Sequence, residues 1–400
     1  MTVRITKPEF NLREKLSELD KPSGIKGNEL MRSDTAQKAR NLIGAGRKNK
    51  VINGDMRISQ RGTTFSNIGG NTQQYTLDRF KLQTNYLDEA VATISQDSSA
   101  PDGFSKSLKI QCDTAESSVG NDEHARLIYD GEAFDFTDIG FGTSSAKKVT
   151  LSFWVKSNLT GTWGMNFWRG DANRSNLRTY TINNANTWEH KVMTLSIDST
   201  GGVVNSDNGY GLRINWGLAT GANFATSHPL DTWHGFQQQY FYPYDARNRN
   251  FYSSTSNNFY LTGVQLEVSD VATEFEHRPY AEELALCQRY FQVMARGYMS
   301  PARGNSATSY LWKYECPVPF RALPTATAVT WSGASFSSRR FRDNTGVSDN
   351  TNTPSPQSAY FYPDSGTSYV HFAQNGYTGA DDRSAVIMIQ QGAIFLSAEL

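Results

Sequence analysis

Residues 231–260 hold ten aromatic side chains in thirty positions: Trp233, Phe236, Tyr240, Phe241, Tyr242, Tyr244, Phe251, Tyr252, Phe259 and Tyr260. Gln237, Gln238, Gln239, Asp245, Arg247, Asn248 and Arg249 lie between them. Aromatic faces stack on sugar rings, while amides, carboxylates and guanidinium groups bond the hydroxyls, so this mixture suits a glycan. Trp233, Tyr240, Tyr242, Tyr244 and Arg247 are the candidate ligand-binding residues. The same composition also suits core packing or a subunit interface, where Tyr, Trp and Arg are enriched. Both readings stay open at this point.

Other chemistry finds less support. GxxxxGK[ST], GxSxG, HExxH and EF-hand patterns are absent. Asp135 with Asp138, and Asp381 with Asp382, are close enough in sequence to suggest an acid–base pair, but turn and surface carboxylates are the simpler reading. No catalytic residue is assigned, and the chain is expected not to be an enzyme. His228 and His234, six apart around Pro229, are weak metal candidates, and structural histidines are the plainer account. The polar loop 198–208 can offer oxygen ligands to a structural calcium, or serve as an ordinary turn-rich loop. No other cofactor is expected. Arg169-Gly170-Asp171 matches an integrin-binding tripeptide, a match too short to carry weight.

Something must position these residues, and composition indicates what. The chain has 400 residues, 12% aromatic, 20% charged, with 32 Gly. That length suggests two or three folded units, and the aromatic, Thr and Asn content favours β-sandwiches or barrels. No apolar run is long enough to span a bilayer, and the first eight residues lack the apolar stretch of a secretory signal. Cys112, Cys287 and Cys316 are too scattered for a zinc site or a disulfide framework. The formal net charge of zero argues against nucleic acid as a partner. It divides, however, into +6 over residues 1–50 and −6 over the remainder. The two parts are expected to do different jobs.

Residues 1–48 read as two short helices, over 11–19 and from 33 to about 43. Phe10, Leu12, Leu16 and Leu19 form their apolar contact set. Helices this short need a packing partner, so the segment is expected to dock on another protein or a neighbouring subunit. From Asn49 onward, strand-like runs alternate with turns: 75–80, 107–111, 124–129, 149–155, 165–168, 178–182, 188–197, 211–216 and 258–268. About nine short strands read as an antiparallel sandwich of the jelly-roll kind over 49–280. Pro279 and the glutamates that follow start a connector helix, expected over 281–292. About six more strands, with a loop over 342–358, make a smaller C-terminal β-domain within 281–400. The fold class is therefore mainly β.

The segment KVINGDMRISQRG at 50–62, then YTLDRF at 75–80, resembles the opening of a domain common in tail fibre and related virion proteins of tailed bacteriophages, marine ones in particular. GVQLEV at 263–268, ATEFEHRPY at 272–280 and the helix after it resemble its end, and LSFWVK at 151–156 and TWE at 187–189 fit between. The resemblance covers roughly 50–292. The final LSAEL is similar to the usual end of such proteins, and ITKPEFNLREKLSELD at 5–20 to the arms of cyanophage fibre-like proteins. The family implies a carbohydrate-binding-module-like, lectin-like jelly roll, a trimer, and a place in a virion appendage. It also implies a turn at Asn53, Gly54 and Asp55, and a strand-to-helix fastening by Glu276, His277 and Arg278.

The expectation is thus a structural tail fibre protein, mounted on a tail or capsid protein through residues 1–48. It would attach to the host by binding a surface glycan, with no membrane insertion. A head fibre or capsid decoration protein is the alternative of similar build. A fibre-tip glycan depolymerase is the alternative from another class.

Overall fold

In the computed structural model, antiparallel strands carry nearly all the regular structure. It describes residues 47–235, 242–243, 250–306, 309–330, 335–342, 346–351, 354–361, 368–375 and 384–400. The two expected arm helices, with Phe10, Leu12, Leu16 and Leu19, lie outside the described residues. Asn49–Leu400 form one compact unit.

Its larger part contains β1 (Thr64–Tyr75), β2 (Phe80–Asp97), β3 (Ser107–Thr114), β4 (His124–Glu132), β5 (Val149–Ser157), β6 (Gly161–Arg169) and β7 (Arg174–Ile182). β8 (Glu189–Leu195), β9 (Tyr210–Thr220), β10 (Ala225–Thr226), β11 (Trp233–Gly235), β12 (Tyr242–Pro243) and β13 (Asn258–Glu267) complete it. The strand order is β11-β7-β6-β9-β4-β2-β3-β13-β5-β8, with β1 also on β2 and a separate parallel pair β10–β12. The long strand β2 joins two layers. Its residues 80–85 pair with β4, and 91–97 pair with β3. Between them Tyr86 takes a left-handed backbone, φ 53°. The layers close over one apolar core. Phe153 on β5 meets Trp216 on β9 at 6.0 Å between ring centroids, and Trp163 on β6 meets Phe259 on β13 at 5.3 Å. Each such fully buried phenylalanine contributes roughly 1.5–3 kcal/mol.

The segment 75–80 is not a strand. The Thr76 N–H donates to Phe80 O and the Phe80 N–H to Leu77 O across a tight turn that joins β1 to β2, and Arg79 takes φ 72° to make it. β1 and most of β2 had no counterpart in the sequence reading. β1 is polar, with one fully buried apolar residue, Ile68. β2 changes its inward phase at Tyr86, so neither shows sustained alternation.

Asn53, Gly54 and Asp55 do lie in a turn. Asn53 is fully buried at φ 59°, and its side-chain amide donates to Ile58 O and Asp78 O, both at 2.9 Å. A Cβ on Gly54 would sit 2.1 Å from Val264 O, so only glycine lets this turn lie against β13. Arg278 donates to Val51 O and pairs with Glu283, while the Glu276 N–H donates to Gln265. This ties β13 and the opening turn to α1 (Tyr280–Gln288). The helix is shorter than the 281–292 expected. Tyr290 remains buried at the helical spacing from Cys287, but Phe291 has joined a sheet. Tertiary pairing overrides the helical pattern at this end.

That sheet is β14 (Phe291–Ala295), β23 (Ala393–Ser397) and β17 (Thr325–Val329), in the order β14-β23-β17. A seven-stranded sheet uses β15 (Met299–Ser306), β16 (Ser309–Glu315), β18 (Ser337–Arg342), β19 (Gly346–Asn350), β20 (Ser355–Phe361), β21 (Ser368–Asn375) and β22 (Ser384–Gln391). Its order is β19-β18-β22-β15-β16-β21-β20. Trp312 stacks on Phe372 at 4.9 Å, and Ile387, Ile389, Ile394 and Leu396 fill the core between the sheets. The expected loop 342–358 holds β19 and the start of β20.

Candidate functional site

Trp233 lies largely buried. It is 7% exposed, packs edge-on against Phe141, and spends its indole N–H on Ser196 O at 2.9 Å. Phe251, Tyr252 and Phe259 are likewise core residues. Tyr242 lies in β12, with its backbone opposite Ala225. Its side chain, and all of Tyr240, Tyr244 and Arg247, fall outside the described residues. Of the aromatic stretch, among the described residues, only Tyr260 turns outward.

Tyr260 leads to a site that the sequence reading did not assemble. Along β13 the inward residues are Phe259, Leu261, Val264 and Leu266, so Tyr260 and Thr262 face away from the core. In register with Tyr260 stand Lys109 on β3 and Lys156 on β5. Lys156 Nζ sits 4.1 Å from the Tyr260 ring centroid and 5.1 Å from that of Trp188, and Lys109 Nζ sits 5.6 Å from Tyr260. Trp188 meets Tyr260 edge-on at 6.0 Å. One row over, Trp154 on β5 lies opposite His190 on β8, with rings 5.0 Å apart. Five of these six residues are half-buried, and His190 is exposed. Burial lowers the pKa of both Lys156 and His190. For Lys156 the nearby Lys109 charge pushes the same way, and Asp97 opposes it.

The row continues past a bulge in β13. Gly263 has φ 61°, and a Cβ there would meet Phe104 Cζ at 2.7 Å and Trp154 Cδ1 at 2.9 Å. Glycine thus lets the two rings press on the strand from either side. Phe104 packs on Phe275 and His277 at 5.0 and 5.3 Å. It also lines a cleft of about 370 Å³ together with Asp55, Arg57, Gly103, Ser105 and His277. Asp55 Oδ1 is buried there without a hydrogen-bond partner, an acceptor left at the wall of the cleft. The open face of β3-β13-β5-β8 is therefore a strip of aromatic rings with ammonium groups beside them. The signal was present in Leu151-Ser152-Phe153-Trp154-Val155-Lys156, where Phe153 is inward and Trp154 and Lys156 are outward.

The outer side of β2, β4 and β9 is different. Asp130 is 1% exposed and takes Lys81 at 2.6 Å and Arg213 at 2.5 Å. Burial alone would raise its pKa, but those two cations together hold it below the usual carboxylate value. Glu132 accepts two bonds from Arg289, at 2.8 and 2.6 Å, and one from the Tyr290 hydroxyl at 2.8 Å. The chain's last residues lie over this side. Glu399 pairs with Arg79 and with Arg61, the latter at 2.9 Å, and Lys81 donates to Leu400 O. Arg79 also lies 3.4 Å from the Tyr290 ring.

The remaining candidates resolve into structure. In the loop 198–208, the Asp198 carboxylate is 1% exposed and is held by Arg169 and Arg174. Arg169 is thereby buried, and the Arg-Gly-Asp tripeptide is not displayed. His228 and His234 do come together, with rings 4.4 Å apart, but no group of three His, Cys, Asp or Glu converges among the described residues. Cys112, Cys287 and Cys316 are free thiols.

No family model matches the sequence, and no curated protein matches it either. Solved structures similar to the chain include the enzymatically active domain of bacteriophage CBA120 tailspike protein 4, at 13% identity and TM-score 0.29, over 55% of this chain and 21% of that one. Clostridium thermocellum endo-1,4-beta-D-xylanase 10B, with its CBM22-1 and GH10 modules, is similar at 10% identity and TM-score 0.28, over 56% of this chain and 29% of that one. A family 11 carbohydrate-binding module of the same bacterium, in complex with a mixed-linked tetrasaccharide, is similar at 10% identity and TM-score 0.25, over 54% and 97%. The matched part thus spans under a third of the tailspike and xylanase chains. With TM-scores below 0.5, none of these likenesses carries an inference about this chain.

Proposed function

We propose that this chain is a non-catalytic adhesin of a tailed-phage virion, whose sandwich holds a host-surface glycan on the open face of β3-β13-β5-β8. One observation carries the reading: Tyr260, Trp188 and Trp154 stand on one outward face beside Lys109, Lys156 and His190. Rings stack on pyranose faces, and the polar heads between them bond hydroxyls. Single contacts of this kind are weak, and several copies on one particle raise the avidity by orders of magnitude. The trimer implied by the fibre resemblance supplies such copies. Residues 1–48, with their +5 charge, are the attachment arm to a tail or capsid protein.

A polysaccharide array probed with the purified chain tests the binding. Retention is expected, lost on Tyr260→Ala with Trp154→Ala, and without new reducing ends in the bound polysaccharide. Failure to retain any polysaccharide defeats the adhesin reading, and release of reducing ends converts it to a depolymerase. Deleting residues 1–48 is expected to leave a folded body that no longer joins virions, and normal incorporation defeats the arm.

A further inference from the structure

The two halves of the sandwich treat cations differently. Lys81 and Arg213 share Asp130, Arg79 and Arg61 share Glu399, and Arg169 and Arg174 share Asp198. On the open face, Lys109 and Lys156 form no ion pair among the described residues. Lys156 donates to Ser99 Oγ at 2.6 Å and lies over two rings, with the Asp97 carboxylate acting on it without forming an ion pair. Two carboxylates of β2 and β3 hydrogen-bond elsewhere: Asp97 accepts the Ser99 N–H at 2.7 Å, and Asp113 accepts the Thr93 hydroxyl at 2.6 Å. The body carries a net charge of about −6, so two ammonium groups on either side of one ring, both outside any ion pair among the described residues, are not a by-product of a basic surface. An anion laid against Tyr260 would pair with both.

We infer that the open face takes an acidic polysaccharide, one bearing carboxylate or sulfate groups on its sugars, with the sugar ring stacked on Tyr260 or Trp188 and the anion held between Lys109 and Lys156. This rests on the reading of that face as a glycan site. A charge-assisted bond to each lysine sets the preference, roughly tenfold per contact.

Affinity electrophoresis of the full chain in matched gels tests it, pairing polygalacturonate with its methyl ester and dextran sulfate with dextran. The expected result is retention at least about tenfold stronger by the acidic member, weakening as salt rises. The double variant Lys109→Met and Lys156→Met should lose that preference while retaining its melting temperature, since both lysines lie on the solvent side. The salt dependence of the unaltered chain reads the same property should the variant not fold. Equal retention of acidic and neutral members, abolished by Tyr260→Ala, overturns the acidic specificity and leaves the glycan site standing. An acidic preference unchanged in the double variant also overturns it. No retention in any gel overturns the glycan reading itself.

Discussion

The two outer sides of one sandwich follow opposite rules. On β2, β4 and β9, charges are buried and paired, and they fasten the chain's own later segments: Arg289, Tyr290, Glu399 and Leu400 all land there. On β3, β13, β5 and β8, rings and lysines lie half-buried, with Lys156 over Tyr260 and Trp188. The same antiparallel scaffold thus offers one side for internal closure and leaves the other for a ligand. Buried ion pairs are costly to desolvate and stand only where geometry is good, so they mark where the protein must register with itself. Aromatic rings beside free cations mark where it can meet something else.

The largest effect should come from the closed side. Glu399→Ala leaves Arg61 and Arg79 buried without their carboxylate, and roughly 3–5 kcal/mol of stability should be lost in urea unfolding. A change below about 1 kcal/mol would mean that this seam is not closed in solution. Trp233→Ala should cost a comparable amount, roughly 3–5 kcal/mol, because it opens a cavity between Phe141 and β7. The folded fraction of that variant should still bind glycan. Loss of binding at full stability would return Trp233 to the ligand site and blur the contrast between the two sides.

On the open side, Trp188→Ala should weaken glycan retention by about tenfold, near 1.4 kcal/mol, with a smaller change in melting temperature. The reverse pattern would make Trp188 a packing residue.

Acid gives the most graded test. Burial pushes His124 on β4 down to about 3. Between an unfolded pKa near 6.5 and that value, the unfolded chain binds a proton that the folded chain does not. Stability should therefore fall as pH falls through this window, by at most about 1.4 kcal/mol per pH unit. Asp130 and Glu132, both held below their ordinary carboxylate values, add to the fall below about pH 4.5. Urea midpoints at about pH 7 and about pH 5 measure the histidine part, and His124→Phe should flatten the difference. An unchanged slope in that variant would assign the effect to other groups.

Much of the strand pattern was legible because its causes are local. In 149–155 and 258–268, alternation separates an inward face from an outward one, and Asn53-Gly54 announces its turn by residue type alone. β1 was not legible: an edge strand with polar residues on both faces shows no alternation. The site was legible only in part. An aromatic stretch at 231–260 pointed toward glycan chemistry, yet its described members are core except for Tyr260. Trp154 and Trp188 stand outside that stretch, spread along the chain, and no local cluster marks them.

The sequence by itself determined that the chain is mainly β and where most strands and turns fall, because side-chain periodicity and turn chemistry act over a few residues. Only the tertiary structure decided which aromatics are buried and which charges are paired. Burial depends on partners far away in sequence: Lys109 meets Tyr260 across 151 residues, and Arg79 meets Glu399 across 320. A formal charge of zero is silent on that. In this fold it conceals a seam of matched ions on one side and two unmatched lysines on the other.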